Sequence, residues 1–162
     1  MAYEKLRYEV LKKEGPYEIR KYEPFTKMVT KSNYDSGFSK LFRYISGNNS
    51  ENKKISMTVP VISDLTDPDM AFTMPRDAGE APEPMDGSIS IVKEPERYYL
   101  SYTFRGNKSL ERVVFVMNDY AERRKLKVIG SHKIMTYQGP LTPWFLKTYD
   151  VIVEIENDPY GF

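Results

Sequence analysis

The sequence has no cysteine among its 162 residues. That excludes a disulfide framework, a thiolate zinc site and a thiol nucleophile together, and it fits a reducing compartment. Histidine is almost as scarce: His132 stands alone, so a poly-histidine metal site is impossible and a Ser-His-Asp triad is disfavoured. Neither sign of charge is in excess. The 24 Lys and Arg face 23 Asp and Glu, a net charge of +1, so no bulk field draws in nucleic acid or an anionic membrane. No apolar run approaches the roughly 18 residues that a membrane span requires. The opening stretch MAYEKLRYEVLKKEG lacks the apolar segment of a secretory leader. The expectation is a cytoplasmic monomer with neither nucleic acid nor membrane as partner. A single domain over residues 1–162 is long enough to bury a core without staples.

What the sequence has in excess is aromatic residues, 14% of the chain, with 13 Tyr and 8 Phe against one Trp. Many fall in segments that read as strands. Tyr8–Leu11 and Tyr17–Tyr22 flank the turn at Lys13–Pro16, and Phe25–Thr30 follows Pro24. In Tyr17–Tyr22 the alternation sends Tyr17, Ile19 and Lys21 to one face and Glu18, Arg20 and Tyr22 to the other. Ser36–Ser46 reads as a helix, with Phe38, Leu41, Phe42 and Ile45 on one stripe and Gly47 past its end. Lys54–Ser63 alternates as a half-buried strand in which Pro60 marks an edge or a bulge. Met70–Met74 is a short strand. Residues 75–87 hold three of the 11 prolines and read as a loop or lid.

The second half repeats this order. Ser88–Val92 and Tyr98–Phe104 read as strands, and Leu110–Arg123 as a helix with Leu110, Val113, Val114, Met117, Tyr120 and Ala121 on one face. Lys133–Tyr137 and Tyr149–Glu156 close the chain. Hairpins separated by helices, with no βαβ rhythm, indicate an α+β fold built on a curved, mostly antiparallel sheet or partial barrel with two outer helices.

The catalytic inventory is thin. No carboxylate pair stands out as an acid and base couple in an apolar setting. Phe104–Ser109 carries a lone glycine before a helix, which reads as a turn with Asn107 or Ser109 as cap rather than a phosphate loop. Arg123, Arg124 and Lys125 suit a solvated helix end. His132, in Gly130-Ser131-His132-Lys133, reads as a solvated turn histidine.

Two segments have the chemistry to hold a flat apolar ligand. On the first helix, Phe38 and Phe42 either pack into the core with Leu41 or line a pocket with Arg43 at its mouth, where it could pair a carboxylate. Periodicity does not separate these readings. The stretch from Tyr137 to Lys147 carries Pro140, Leu141, Pro143, Trp144 and Phe145. It is either a core plug or a flap over a ligand, since loops are ordinarily polar.

Three segments resemble the SOUL haem-binding protein family: Pro16-Tyr-Glu-Ile-Arg-Lys-Tyr22, Gly37-Phe-Ser-Lys-Leu-Phe-Arg-Tyr-Ile-Ser-Gly47-Asn48 and Lys54-Ile-Ser-Met-Thr-Val-Pro-Val61. The closing Tyr137…Pro140-Leu-Thr-Pro143…Tyr149-Asp-Val151 is similar to its C-terminal pattern. The resemblance implies a distorted antiparallel β-barrel of two pseudo-symmetric halves, each with one outer helix, as in the effector-binding domains of some bacterial regulators. It also implies non-covalent binding of haem or another porphyrin, as a carrier or buffer that performs no catalysis. Its site would be Phe38, Leu41, Phe42 and Arg43 on the first helix and Tyr137, Pro143, Trp144 and Phe145 on the late loop. Some members carry a histidine directly after Tyr-Glu-Ile-Arg as an axial iron ligand. Lys21 stands there, and a protonated lysine is a poor ligand. The rival readings are a module for another hydrophobic small molecule, a protein-interaction module using the same groove, and a small enzyme on the same scaffold.

Overall fold

The structure is a computed structural model that describes residues 3–32, 34–139 and 141–156. In chain order the elements are β1 (Glu4–Lys5), β2 (Tyr8–Glu14), β3 (Tyr17–Tyr22), β4 (Phe25–Thr30), α1 (Tyr34–Ile45), β5 (Thr58–Val59), β6 (Val61–Asp64), β7 (Met70–Thr73), β8 (Ile89–Glu94), β9 (Arg97–Arg105), α2 (Leu110–Arg123), β10 (Val128–Thr136), a 3-10 turn (Trp144–Leu146) and β11 (Thr148–Ile155). Pairing is mostly antiparallel, so the α+β reading holds. The chain divides into two compact units, one of residues 1–6 with 24–95 and one of 7–23 with 96–162.

In the first unit β7 lies between β6 and β4, and β4 also pairs with β8, all antiparallel. β1 and β5 form a small parallel pair, with Glu4 opposite Thr58. The helix α1 packs on β4 and β7. It does so through Leu41, Tyr44 and Ile45, which join Met28, Met70 and Phe72 in the core. Each such apolar side chain contributes roughly 1.5–3 kcal/mol on burial. The expected strand Lys54–Ser63 begins only at Thr58, and Pro60 stands between β5 and β6. Lys54–Met57 runs outside any sheet, tied back by the Ile55 amide to the Ile45 carbonyl at 2.7 Å.

In the second unit the antiparallel order is β2-β3-β9-β11-β10. The helix α2 packs on β9 and β10 and buries Val113, Met117, Tyr120 and Ala121 of the expected stripe, while Leu110 and Val114 at its edge stay part-exposed. Ser109 is its cap, accepting the Arg112 amide at 3.3 Å. The sequence order suggested that the first hairpin belongs with the first helix. Instead β3 pairs with β9, Tyr17 opposite Tyr102, which puts the β2-β3 hairpin in the second unit. Within neither unit do the described strands close into a ring.

One expectation is overturned. The stretch around His132 is not a turn but the middle of β10, and His132 is 9% exposed. The glycine that suggested a turn serves a bulge: Gly130 has φ +73°, and the β10–β11 register shifts between Ile129 and Lys133. Glycine marks both features, because both need a backbone that side chains disfavour.

Candidate functional site

The helix α1 presents two different faces to two different environments. Leu41 is fully buried, so it supports the helix from behind. Phe38 is part-buried and meets Phe72 edge-on, with ring centroids 5.2 Å apart. Phe42 lies nearly parallel to Phe38, at 6.1 Å and 12°, and is 50% exposed. Arg43 follows it, exposed. The outcome is a two-ring apolar platform, anchored at one end in the core and open at the other, with a guanidinium beside it.

The segment after α1 fixes the end of this platform. Gly47 takes φ +123°, ending the helix. The Asn49 side-chain amide donates to the Tyr44 carbonyl at 2.9 Å, and its oxygen accepts the Lys53 amide at 3.0 Å. Residues 75–87 do not behave as a loose lid. The Tyr44 hydroxyl donates to the Pro82 carbonyl, the Ser50 amide to the Glu83 carbonyl and the Lys53 ammonium to the Ala78 carbonyl at 2.6 Å. Burial pushes the Tyr44 phenol up to about 12, so it stays a donor. Asp86, on this loop, has its carboxyl held below the usual range, first by hydrogen bonds from Ser88 and then by the Lys40 and Arg43 charges. Arg43 therefore already works in the field of one carboxylate.

The late loop is equally definite. Trp144 and Phe145 sit on the 3-10 turn, edge to face at 5.7 Å, and are 59% and 55% exposed. Pro143, just before them, is exposed. That removes the core-plug reading of this segment. Pro140 lies outside the described residues. The Trp144 ring covers Gly106, where a Cβ would meet it at 3.6 Å.

Tyr137 has a different surrounding. Its hydroxyl donates to the Asp150 carboxylate, and burial followed by the neighbouring Tyr22 and Asp150 raises its pKa. Asp150 also accepts from Arg20 Nη1 at 2.9 Å and from the Thr103 hydroxyl at 2.5 Å. The Arg20 guanidinium lies 4.3 Å from the Tyr8 ring centroid and also donates to Glu18 and Tyr22. This buried polar cluster was hidden in the sequence, where Arg20 read as an ordinary strand residue. Its carboxylate is fully engaged, so it ties strands together and leaves no base for chemistry.

Iron ligands are scarce. Lys21 pairs with Glu96 at 3.9 Å, so a carboxylate already engages its amine. Burial lowers the His132 pKa, and its Nε2 is buried with no hydrogen-bond partner among the described residues. No group of three or more His, Asp or Glu residues suited to a metal occurs among the described residues. A flat macrocycle fits the Phe38–Phe42 platform and its carboxylates fit Arg43. The two donors weighed above lie on strands rather than on α1, Lys21 on β3 and His132 on β10.

A separate cavity of about 610 Å³ opens in the first unit. Ile55, Met57 and Pro75 give it an apolar wall, and Lys53, Lys54 and Asp77 supply charge. None of the eight expected contact residues lines it.

The family model for the SOUL heme-binding protein matches residues 3–154. The chain belongs to the SOUL heme-binding protein family. No curated protein matches the chain. Among solved structures, the SOUL chain resembles EcmrR in its complex with DNA, with a TM-score of 0.66 at 10% identity over 88% of this chain. It spans only 57% of EcmrR's length. It covers 99% of the EcmrR C-terminal domain, with a TM-score of 0.61 at 12% identity over 93% of this chain. A hydrolase from Listeria innocua gives a TM-score of 0.55 at 11% identity, covering 86% of this chain and 91% of that one. At such identities these likenesses concern the SOUL fold alone.

Proposed function

We propose that this SOUL-family protein binds haem or a related tetrapyrrole non-covalently and releases it unchanged, as a monomeric cytoplasmic carrier or buffer. The observation that carries the reading is the half-exposed Phe42 ring lying against Phe38 with Arg43 next in sequence. Aromatic faces of this kind stack on flat rings, and a guanidinium pairs a propionate bidentately. Each 100 Å² of apolar surface covered contributes about 2.5 kcal/mol. In this proposal Pro143, Trp144 and Phe145 of the late loop supply a second set of apolar contacts. Tyr137 supports that segment through its bond to Asp150, and closure of the strands into a barrel belongs to the same family expectation. Affinity then comes from the macrocycle and its carboxylates rather than from the iron. Titration of the protein with hemin and with iron-free protoporphyrin, read by absorbance and by Trp144 fluorescence, tests this. Comparable binding of both supports it, and flat titrations with both reject it.

A second reading has one specific observation behind it. The 610 Å³ cavity, with Lys53 and Lys54 beside Glu4 and Asp77 on an apolar wall of Ile55, Met57 and Pro75, has the size and mixed chemistry for a small amphipathic ligand. A ligand that raises the melting temperature while hemin does not would favour it.

A further inference from the structure

The exposed tip of the late loop has a character that the tetrapyrrole reading does not account for. Leu141 is 97% exposed and Leu146 48% exposed, beside the half-exposed Trp144 and Phe145. These four large apolar side chains crowd into six residues. Contiguous exposed apolar surface on a soluble protein marks an interaction site.

The tip is held in shape rather than loose. The Leu146 amide donates to the Pro143 carbonyl at 2.9 Å and the Lys147 amide to the Trp144 carbonyl at 3.2 Å. At its base the Thr148 amide donates to the Gln138 side chain at 2.7 Å. The Gly106 amide donates to the Lys147 carbonyl at 2.9 Å, which fixes the β9–α2 connection beside the tip. These amides are therefore engaged, and the tip offers side chains rather than backbone. That suits a partner with no directional demand.

The charge in the two segments that form and flank the tip is of one sign. They carry Arg105, exposed and opposite Thr148 in the β9–β11 register, Lys108, exposed with its amine 3.1 Å from the Tyr102 hydroxyl, and Lys147 next to Leu146. Segments 103–110 and 137–149 contain no carboxylate. An indole and aliphatic tip with a cationic collar is the chemistry of an anionic bilayer interface, where aromatic rings sit at headgroup depth and Lys and Arg meet the phosphates.

We propose that the tip from Leu141 to Leu146 docks this protein on anionic membrane surfaces, its apolar side chains entering the headgroup boundary and Arg105, Lys108 and Lys147 contacting lipid phosphates. It departs from the expectation drawn from net charge, because a local collar acts where the whole-molecule field is neutral. It shares Trp144 and Phe145 with the tetrapyrrole reading but does not require a bound ligand, so ligand-free protein tests it.

The full chain is mixed with vesicles of phosphatidylcholine containing roughly 30% phosphatidylserine, a strongly anionic surface. Trp144 is the sole tryptophan, so its emission reports on the tip. The expected result is a blue shift, quenching by brominated acyl chains and co-sedimentation. Leu141→Ser with Phe145→Ser should weaken partitioning by about 10-fold. Lys147→Gln should weaken it by about 5-fold, and pure phosphatidylcholine should bind less. No spectral change on anionic vesicles overturns the proposal. Binding that ignores both the Leu141/Phe145 pair and the lipid charge overturns it too. So does a dimer in analytical ultracentrifugation that Phe145→Ser dissociates, without vesicle binding, since a second copy would then be the occupant. Circular dichroism of each variant separates loss of docking from loss of fold.

Discussion

Arg20 and Asp150, 130 residues apart in the chain, meet through Nη1 and Oδ2 at 2.9 Å, and each is 3% exposed. A pair this deeply buried gains nothing from water, so each charge depends on the other. Arg20→Ala should cost about 3–5 kcal/mol in urea unfolding, because it leaves the buried Asp150 carboxylate without its cation, and Asp150→Ala should cost less, because Arg20 keeps Glu18 at 2.7 Å. Arg20→Met with Asp150→Leu should recover much of that loss. A double variant no better than the singles would show that the hydrogen bonds to Tyr137 and Thr103 matter more than the pair.

His132 gives the protein an acid-side weakness. Burial lowers its pKa from the ordinary 6.5, so the unfolded chain takes up the proton more readily than the folded one. The contribution of the neutral ring is fully present above about pH 6.5 and is lost as pH falls below it towards the folded pKa. The urea midpoint should drop between pH 7.5 and pH 5, and His132→Leu should flatten that slope. An unchanged slope would assign the acid sensitivity to carboxylates.

The first helix should separate function from stability. Leu41 is buried and Phe42 half-exposed, although both lie on the same stripe. Leu41→Ala should cost about 2–5 kcal/mol of stability. Phe42→Ala should cost little stability but weaken tetrapyrrole binding by about 10-fold, the value of a lost ring contact. Arg43→Glu should weaken binding of a dicarboxylate porphyrin more than that of an uncharged one. Melting curves and binding isotherms on the same preparations check both effects.

These contrasts show which features were legible in the sequence. The α2 stripe of Val113, Met117, Tyr120 and Ala121 follows from a 3.6-residue period that tertiary packing merely confirmed. The turn before β3 and the strand β4 carried ordinary turn and β-branched signals. The partner of β3 was not legible, because Tyr17 opposite Tyr102 is a long-range choice that no local pattern encodes. Nor was the inward turn of His132, since a glycine bulge and a glycine turn look alike in one dimension. The candidate platform was half legible. Periodicity put Phe38, Leu41 and Phe42 on one stripe, but only the position of Phe72 beneath Phe38 decides which ring is anchored and which is open. Tyr137 was named as a contact from the resemblance, and its bond to Asp150 shows a supporting role that its sequence neighbours do not hint at.

Lys21 stands where some relatives carry an iron ligand, and it is paired with Glu96 at 3.9 Å. Lys21→Ala should therefore leave hemin affinity within about two-fold, as removing a partly exposed ion pair rarely matters. A large loss, with a changed Soret position, would assign the lysine to iron.

The central claim is that the macrocycle, not the metal, is recognised. Parallel titration of one preparation with hemin and with iron-free protoporphyrin tests it most directly. The account predicts dissociation constants within a few-fold of each other, both weakened by Phe42→Ala. Tight hemin binding with no protoporphyrin binding would contradict it, because affinity would then reside in an iron ligand rather than in the stacked rings and Arg43.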